Sequence, residues 1–201
     1  IGRNKITATI IHHLNAFDPR VLFQQHFHTV GDAAPDFAHA ARCIDDKIDL
    51  MYKILFKETY PSWFYSINQG ATTMWERWNS YSKAKGYNPQ SMNSLNHYAY
   101  GAIGQWMYER IAGLSSLAPG YKKIKIAPVP NKPLTSAEAS VNTPYGKASS
   151  TWKLENETFK LDVVIPPNTT AEIHIPKTSK QVVFMNGVIL DESLSYELIE
   201  K

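Results

Sequence analysis

After Gly113 the hydrophobic period of this chain changes, and that change restricts the folds open to it. Before it, apolar side chains recur at helical spacing: Phe37, Ala41, Ile44, Ile48, Met51 and Leu55, then Leu95, Tyr98, Ala102, Ile103, Trp106 and Ile111. Side chains three and four positions apart share one face of a helix. After it the period is two. Lys122 to Ala127, Phe159 to Ile165 and Ala171 to Ile175 alternate as half-buried strands do. Pro128, Pro130, Pro133, Pro144, Pro166, Pro167 and Pro176 punctuate these short runs, and Glu155-Asn156-Glu157 supplies a polar turn. Asn186-Gly187, flanked by Val182–Phe184 and Val188–Leu190, is the dipeptide of a tight hairpin. Helices followed by regular short strands imply an α+β chain of two domains, a helical part over 1–118 and an antiparallel β-sandwich over 119–201.

Within the helical part, Pro35 suits the first turn of a helix over Asp32 to Lys57, and Tyr60-Pro61 ends it. Asp45, Asp46 and Asp49 fall off its apolar stripe among Lys47 and Lys53, where a solvated face explains them better than paired catalytic carboxylates. A second helix, over 95–112, takes Ser94 or Asn96 as its cap and Gly113 as its C-terminal stop. His97 then lies in the first turn, where the helix dipole favours a neutral imidazole. Tyr81 to Gln90 reads as an exposed loop, placed to form a rim or lid. Lys5 to Leu14 carries an Ile6, Ile10, Ile11, Leu14 spacing that suits a short helix, and Val21 to Val30 fits helix or strand equally. Ser115 to Gly120 reads as a linker.

At 201 residues and 43% hydrophobic the chain can bury a substantial core. A net charge of +3, dispersed along the sequence, gives no basis for nucleic-acid binding. No run reaches the length of a membrane span, and no signal-peptide pattern opens the chain, which is expected not to begin at a native N-terminus. The single Cys43 excludes an internal disulfide. His12, His13, His26 and His28 lack the cysteine or carboxylate spacing of a metal site, so neither metal nor cofactor is expected.

The chemistry concentrates between Tyr60 and Trp106, which holds four of the five tryptophans. Gly70-Ala71-Thr72-Thr73 is a run of small residues that lets the backbone turn sharply, and it leads into Trp75-Glu76-Arg77-Trp78. Asn93-Ser94-Leu95-Asn96-His97-Tyr98 follows. Flat indole faces pack against the C–H faces of a pyranose, while carboxylate, imidazole and amide groups bond its hydroxyls. A carboxylate among indoles is partly desolvated and becomes a stronger base. Two readings of Glu76 stand at this point: a site carboxylate, or one partner of an ion pair with Arg77 or another cation beside tryptophans that fill a core. His97 is likewise either a sugar contact or a satisfied hydrogen-bonding residue.

These blocks, Tyr60-Pro61-Ser62-Trp63, Gly70 to Trp78 and Met92 to Gly101, resemble the bacterial α-L-rhamnosidases of glycoside hydrolase family 78. Pro119-Gly120-Tyr121-Lys122, Thr143-Pro144-Tyr145-Gly146 and Trp152 are similar too, so the resemblance runs in order from about Leu50 to Pro176. It implies the end of an (α/α)6 barrel followed by a C-terminal β-sandwich. It also implies that Glu76 is the general base of an inverting hydrolysis and that His97 contacts the rhamnose, with Trp63, Trp75, Trp78 and Asn96 as further substrate-binding candidates. The roughly 120 residues before the linker hold about four to six helices, too few for a barrel of twelve. The family's general acid lies upstream of the Trp-Glu block, and no segment here resembles it. Two classes of function follow: a piece of an inverting rhamnosidase, or a non-catalytic sugar-binding or interaction module without the acid. The implied partner is a rhamnose-containing glycoside, with self-association as one way to cover helix faces that lack neighbours.

Overall fold

The computed structural model describes residues 4–11 (main chain), 48–156, 158–176 and 183–189. The chain divides into two compact units, residues 20–106 and residues 1–19 together with 107–201. The described strands are β1 (Asn4–Ile11), β2 (Tyr81–Ser82), β3 (Gly86–Tyr87), β4 (Leu114–Ser116), β5 (Lys123–Ile126), β6 (Ser136–Thr143), β7 (Gly146–Glu155), β8 (Thr158–Ile165), β9 (Thr170–Ile173), β10 (Val183–Met185) and β11 (Val188–Ile189).

In the first unit, the helix Ile48–Leu55 buries Met51, Tyr52 and Leu55 on one face and exposes Asp49, as a solvated acidic face requires. The helix ends at Leu55, two residues before the expected Lys57, and its expected portion over 32–47, with Asp45 and Asp46, lies outside the described residues, as do Val21 to Val30 and the four histidines at 12, 13, 26 and 28. A second helix, Trp63–Asn68, is capped by Ser62, whose extended backbone lets its Oγ accept from Tyr65 N–H at 3.0 Å. It ends in a Schellman turn. Ala71 N donates to Ser66 O (3.0 Å), Gly70 N donates to Ile67 O (2.8 Å), and Gly70 takes φ +102°. The small-residue run thus does what its composition permits, reversing the chain so that it delivers Trp75 and Glu76. Between 81 and 90, where the sequence reads as a plain loop, β2 and β3 pair as a short antiparallel hairpin.

The helix expected over 95–112 starts later and is not uniform. Ala99–Ala102 is a 3₁₀ turn and Ile103–Trp106 an α turn, followed by a π turn over Met107–Ile111. Residues 94–97 stay out of it because their hydrogen-bonding groups are taken. Glu76 N donates to Ser94 O (2.8 Å) and His97 N donates to Met74 O (2.8 Å). His97 therefore precedes the helix instead of occupying its first turn.

The second unit is the sandwich. One sheet has the order β11-β10-β1-β8-β7-β6, and the other β4-β5-β9. All neighbours are antiparallel except β5 and β9, which run parallel and are joined by a connection long enough to allow it. β1 forms where the Ile6, Ile10, Ile11 spacing suits a helix. Eight residues of partner chain, from Asn4 opposite Ile165 to Ile11 opposite Thr158, override that local pattern. β8 buries Phe159, Leu161, Val163 and Ile165 in strict alternation, and Leu114, Ile124 and Ile126 of the smaller sheet are equally buried. Trp152 is fully buried with them, its indole N–H donating to Ile111 O at 2.6 Å. Ser150 Oγ donates to Ala112 O at 2.6 Å, so the Trp152 and Ser150 polar groups in this core are both satisfied. Asn186 and Gly187 adopt φ +52° and +83° between β10 and β11, as a type I′ turn demands. The stretch 115–120 is less of a linker than its sequence suggests, since β4 enters it.

Candidate functional site

The site builds from two segments of the first unit, 73–76 and 94–97, held together by main-chain bonds. Besides the two bonds above, Thr73 Oγ1 donates to Leu95 O. The main-chain groups of Met74 and Glu76 both face the 94–97 segment while those of Trp75 do not, the alternation of an extended chain. Trp75 is accordingly buried on one side, where its ring meets Tyr81 edge-on at 6.3 Å, and Glu76 is only half-buried.

The Glu76 carboxylate is held at one oxygen. Ser94 N–H donates to its Oε2 at 2.7 Å, and Oε1 accepts nothing among the described residues. The ion pair with Arg77 does not form. Arg77 instead clamps the 90–92 loop, donating through Nε to Met92 O (2.9 Å), through Nη1 to Gln90 Oε1 (2.7 Å) and through Nη2 to Ser91 O (3.0 Å). His97 is half-buried. Its Nδ1 accepts from Ala99 N–H at 3.3 Å, which leaves Nε2 as the ring's remaining hydrogen-bonding nitrogen. Asn96 is exposed, and its main-chain N–H and C=O are both bonded to Ser94 Oγ at 3.1 Å.

The three candidate tryptophans come together nearby. Trp63 and Trp78 meet edge-on at 5.0 Å, Trp78 stacks on Tyr100 at 3.7 Å, and Trp63 Nε1 donates to Tyr100 O at 3.0 Å. With Trp75, Thr72 and Met74 these rings line a cavity of about 370 Å³, within the usual range for a small-molecule site. Glu76, His97 and Asn96 are not among its lining residues. The tryptophans thus form one cluster, and the polar candidates lie on the bonded pair of segments that contributes Met74 and Trp75 to its wall. Tyr100 and Ser94 escaped the reading of the sequence. Tyr100 matters through a ring contact 22 positions away, and Ser94, read only as a cap, matters through its main-chain N–H. Neither property has a local signature. Elsewhere, in the second unit, burial and then the charge of Glu109 raise the Tyr121 phenol above its ordinary pKa. The hydrogen bond from Lys123 holds the Glu172 carboxyl below its own, against partial desolvation. No group of three or more potential ligands gathers into a metal site, and no helix is long and apolar enough to cross a membrane, among the described residues.

Helices presenting an aromatic cavity beside a positioned carboxylate, followed in sequence by a β-sandwich, define the class: a chain of glycosidase type. Residues 23–111 match the bacterial α-L-rhamnosidase 6-hairpin glycosidase domain, and residues 113–188 match the bacterial α-L-rhamnosidase C-terminal domain. The chain belongs to the bacterial α-L-rhamnosidase family. An α-L-rhamnosidase of Formosa agariphila is 70% identical over 154 residues, which cover 77% of this chain and 17% of that protein. The structure of the Aspergillus terreus α-L-rhamnosidase aligns with TM-score 0.70 and 34% identity over 80% of this chain and 19% of its own. That of the Streptomyces avermitilis enzyme complexed with L-rhamnose aligns with TM-score 0.64 and 36% identity over 74% and 16%. The chain thus spans less than a fifth of the length of each. The family match begins at residue 23, inside the N-terminal stretch where the sequence showed no likeness, and continues past Pro176 to 188.

Proposed function

We propose that this chain is the part of an inverting α-L-rhamnosidase that carries its general base, Glu76. The carboxylate would take a proton from water as that water attacks the anomeric carbon of a terminal α-L-rhamnosyl group, and configuration inverts. The observation that carries this reading is the single anchor on Oε2. A carboxylate fixed by Ser94 N–H at 2.7 Å keeps a defined orientation, while its free Oε1 can accept the proton of a bound water. His97, bonded through its main chain to Met74, would donate from Nε2 to a hydroxyl of the rhamnosyl ring. Asn96 would contribute a further polar contact at the edge, and Trp63, Trp75 and Trp78 would shape the apolar wall. An inverting glycosidase needs a second carboxyl about 6.5–9.5 Å from the first, to protonate the departing oxygen. In this reading that acid is supplied from outside residues 1–201.

A non-catalytic sugar-binding role draws support from a different observation, the tryptophan cavity that Glu76 does not line. Glu76→Gln, placed in an enzyme of full family length that carries this segment, separates the two. The amide can still accept from Ser94, so the fold and L-rhamnose binding should persist while hydrolysis of an aryl α-L-rhamnoside falls about 10²–10⁴-fold. Turnover close to that of the unmodified enzyme would remove Glu76 from the mechanism.

A further inference from the structure

The main-chain N–H that anchors Glu76 is itself held, and the side chain that holds it is Asn93. A peptide unit is planar, so the direction of its N–H is set by the residues at its two ends. For the unit between Asn93 and Ser94, one end is fixed by Glu76 N donating to Ser94 O at 2.8 Å. The other end is fixed by a side chain. Asn93 Nδ2 directs its two N–H groups to two carbonyls, donating to Ser80 O at 3.0 Å and to Asn88 O at 3.2 Å. Its Oδ1 is buried and accepts nothing among the described residues, so both bonds of this amide run through its donors.

Ser80 is a firm anchor. It is fully buried, its Oγ accepts from Arg77 N at 3.2 Å, its N donates to Arg77 O at 3.1 Å, and its carbonyl also accepts from Asn88 N at 2.9 Å. The chain enters Asn93 from Met92, which takes φ +56°, a left-handed conformation that a non-glycine residue keeps only where its surroundings enforce it. Arg77 Nε fixes Met92 O, and the Asn93 amide fixes the residue after it. All these residues belong to one compact unit.

We infer that Asn93 is a positioning residue for the hydrolysis: its amide keeps the Asn93–Ser94 peptide turned so that Ser94 N–H meets Glu76 Oε2. The inference rests on the reading of Glu76 as the general base. A carboxylate tied at one oxygen presents the other to water in one direction. With Asn93 truncated, the 93–94 peptide is free to rotate, Ser94 N–H leaves the carboxylate, and Glu76 samples orientations that do not reach the water. Misplacing a reacting group by about 1 Å costs on the order of 10²-fold in rate. The proposed sugar contact of His97 does not run through Asn93, since His97 N donates to Met74 O and Thr73 Oγ1 donates to Leu95 O. The rate should therefore fall while binding does not.

The test places Asn93→Ala, Glu76→Gln and the double substitution in an enzyme of full family length that carries this segment. On an aryl α-L-rhamnoside, Asn93→Ala should lower kcat about ten- to hundredfold and leave KM and the inhibition constant of free L-rhamnose unchanged. In the Glu76→Gln background the same change should have no further effect, because a residue that acts through the carboxylate is coupled to it. Asn93→Ser, which also lacks the amide donors, should follow the same pattern and carries the test where Asn93→Ala does not fold. An unchanged kcat overturns the inference. So does a rise in KM or in the L-rhamnose constant that matches the fall in kcat, and so do equal losses in both backgrounds or failure of both variants to fold, each of which marks a general structural role. Turnover near that of the unmodified enzyme in Glu76→Gln alone sinks the base assignment, whereas the expected loss there with no effect of Asn93→Ala sinks only this inference.

Discussion

Glu76 and Arg77 are neighbours in sequence, yet they act on different partners. An exposed pair between them would contribute little, about 0–1 kcal/mol. Arg77 instead forms three bonds to residues 90–92, which fixes the loop leading into Asn93 and Ser94. Arg77 therefore positions the main-chain N–H that holds Glu76, and the ion pair expected from adjacency is replaced by a two-step support. His97 is supported in the same way, through its own N–H to Met74 and through Nδ1, leaving one imidazole nitrogen for a ligand. His97→Ala in an enzyme of full family length should therefore raise KM for an aryl rhamnoside or lower kcat/KM by about three- to tenfold, the cost of one neutral hydrogen bond. The weak bond from Ala99 should cost little stability. An intact kcat/KM would return His97 to a purely structural role.

At the scale of elements, legibility in the sequence followed whether a local pattern was also the global one. β8 was plain because Phe159, Leu161, Val163 and Ile165 are all large and all buried. β6 left no trace in the period, since Ser136 to Thr143 is small and polar and, among the described strands, pairs only with β7 at one end of the sheet. β1 read as a helix because the spacing of Ile6, Ile10 and Ile11 suits one helical face, and pairing with β8 and β10 decided the matter. The late start of the 99–111 helical stretch was hidden for the same reason, because the partner of residues 94–97 lies about twenty positions upstream. Of the site, the residue types were legible and their grouping was not: Trp63, Trp75 and Trp78 share one wall while Glu76 and His97 stand outside its lining. Gly113 is the position where local and global requirements agree most closely. It takes φ +78°, accepts from Ala127 N at 2.8 Å, and has no room for a Cβ, which would overlap the Ala127–Pro128 peptide. Gly113→Ala should combine left-handed strain of about 1–2 kcal/mol with overpacking of about 1–3 kcal/mol. Thermal unfolding of the 201-residue chain should shift down by more than about 5 °C. A shift under a degree would show that the backbone there relaxes freely.

For the molecule as a whole, the issue is what residues 1–201 can do alone. Helices taken from a barrel ought to leave apolar faces uncovered, and Trp106 and the stripe ending at Leu55 were the expected ones. Both are buried. Tyr52 and Trp106 meet edge-on at 5.5 Å, and Met51, Leu55 and Trp106 are each at most 6% exposed. Exposed large apolar side chains include Tyr60, Ile67, Met74, Tyr87, Met92, Tyr98, Met107 and Tyr108, of which Ile67 and Met74 line the aromatic cavity. Chemistry is the sharper test. A base without an acid can activate water, but the glycosidic oxygen still departs as an unprotonated alkoxide. General acid assistance contributes about 10²–10⁴-fold, and a sugar site open on one side also loses the exclusion of water that strengthens its polar contacts. The isolated 201-residue chain should therefore release no measurable aglycone from an aryl α-L-rhamnoside at concentrations where the full-length Formosa agariphila relative turns over readily. Hydrolysis by the isolated chain that disappears in Glu76→Gln would place the acid within these 201 residues and overturn the assignment of that role to another part of the enzyme.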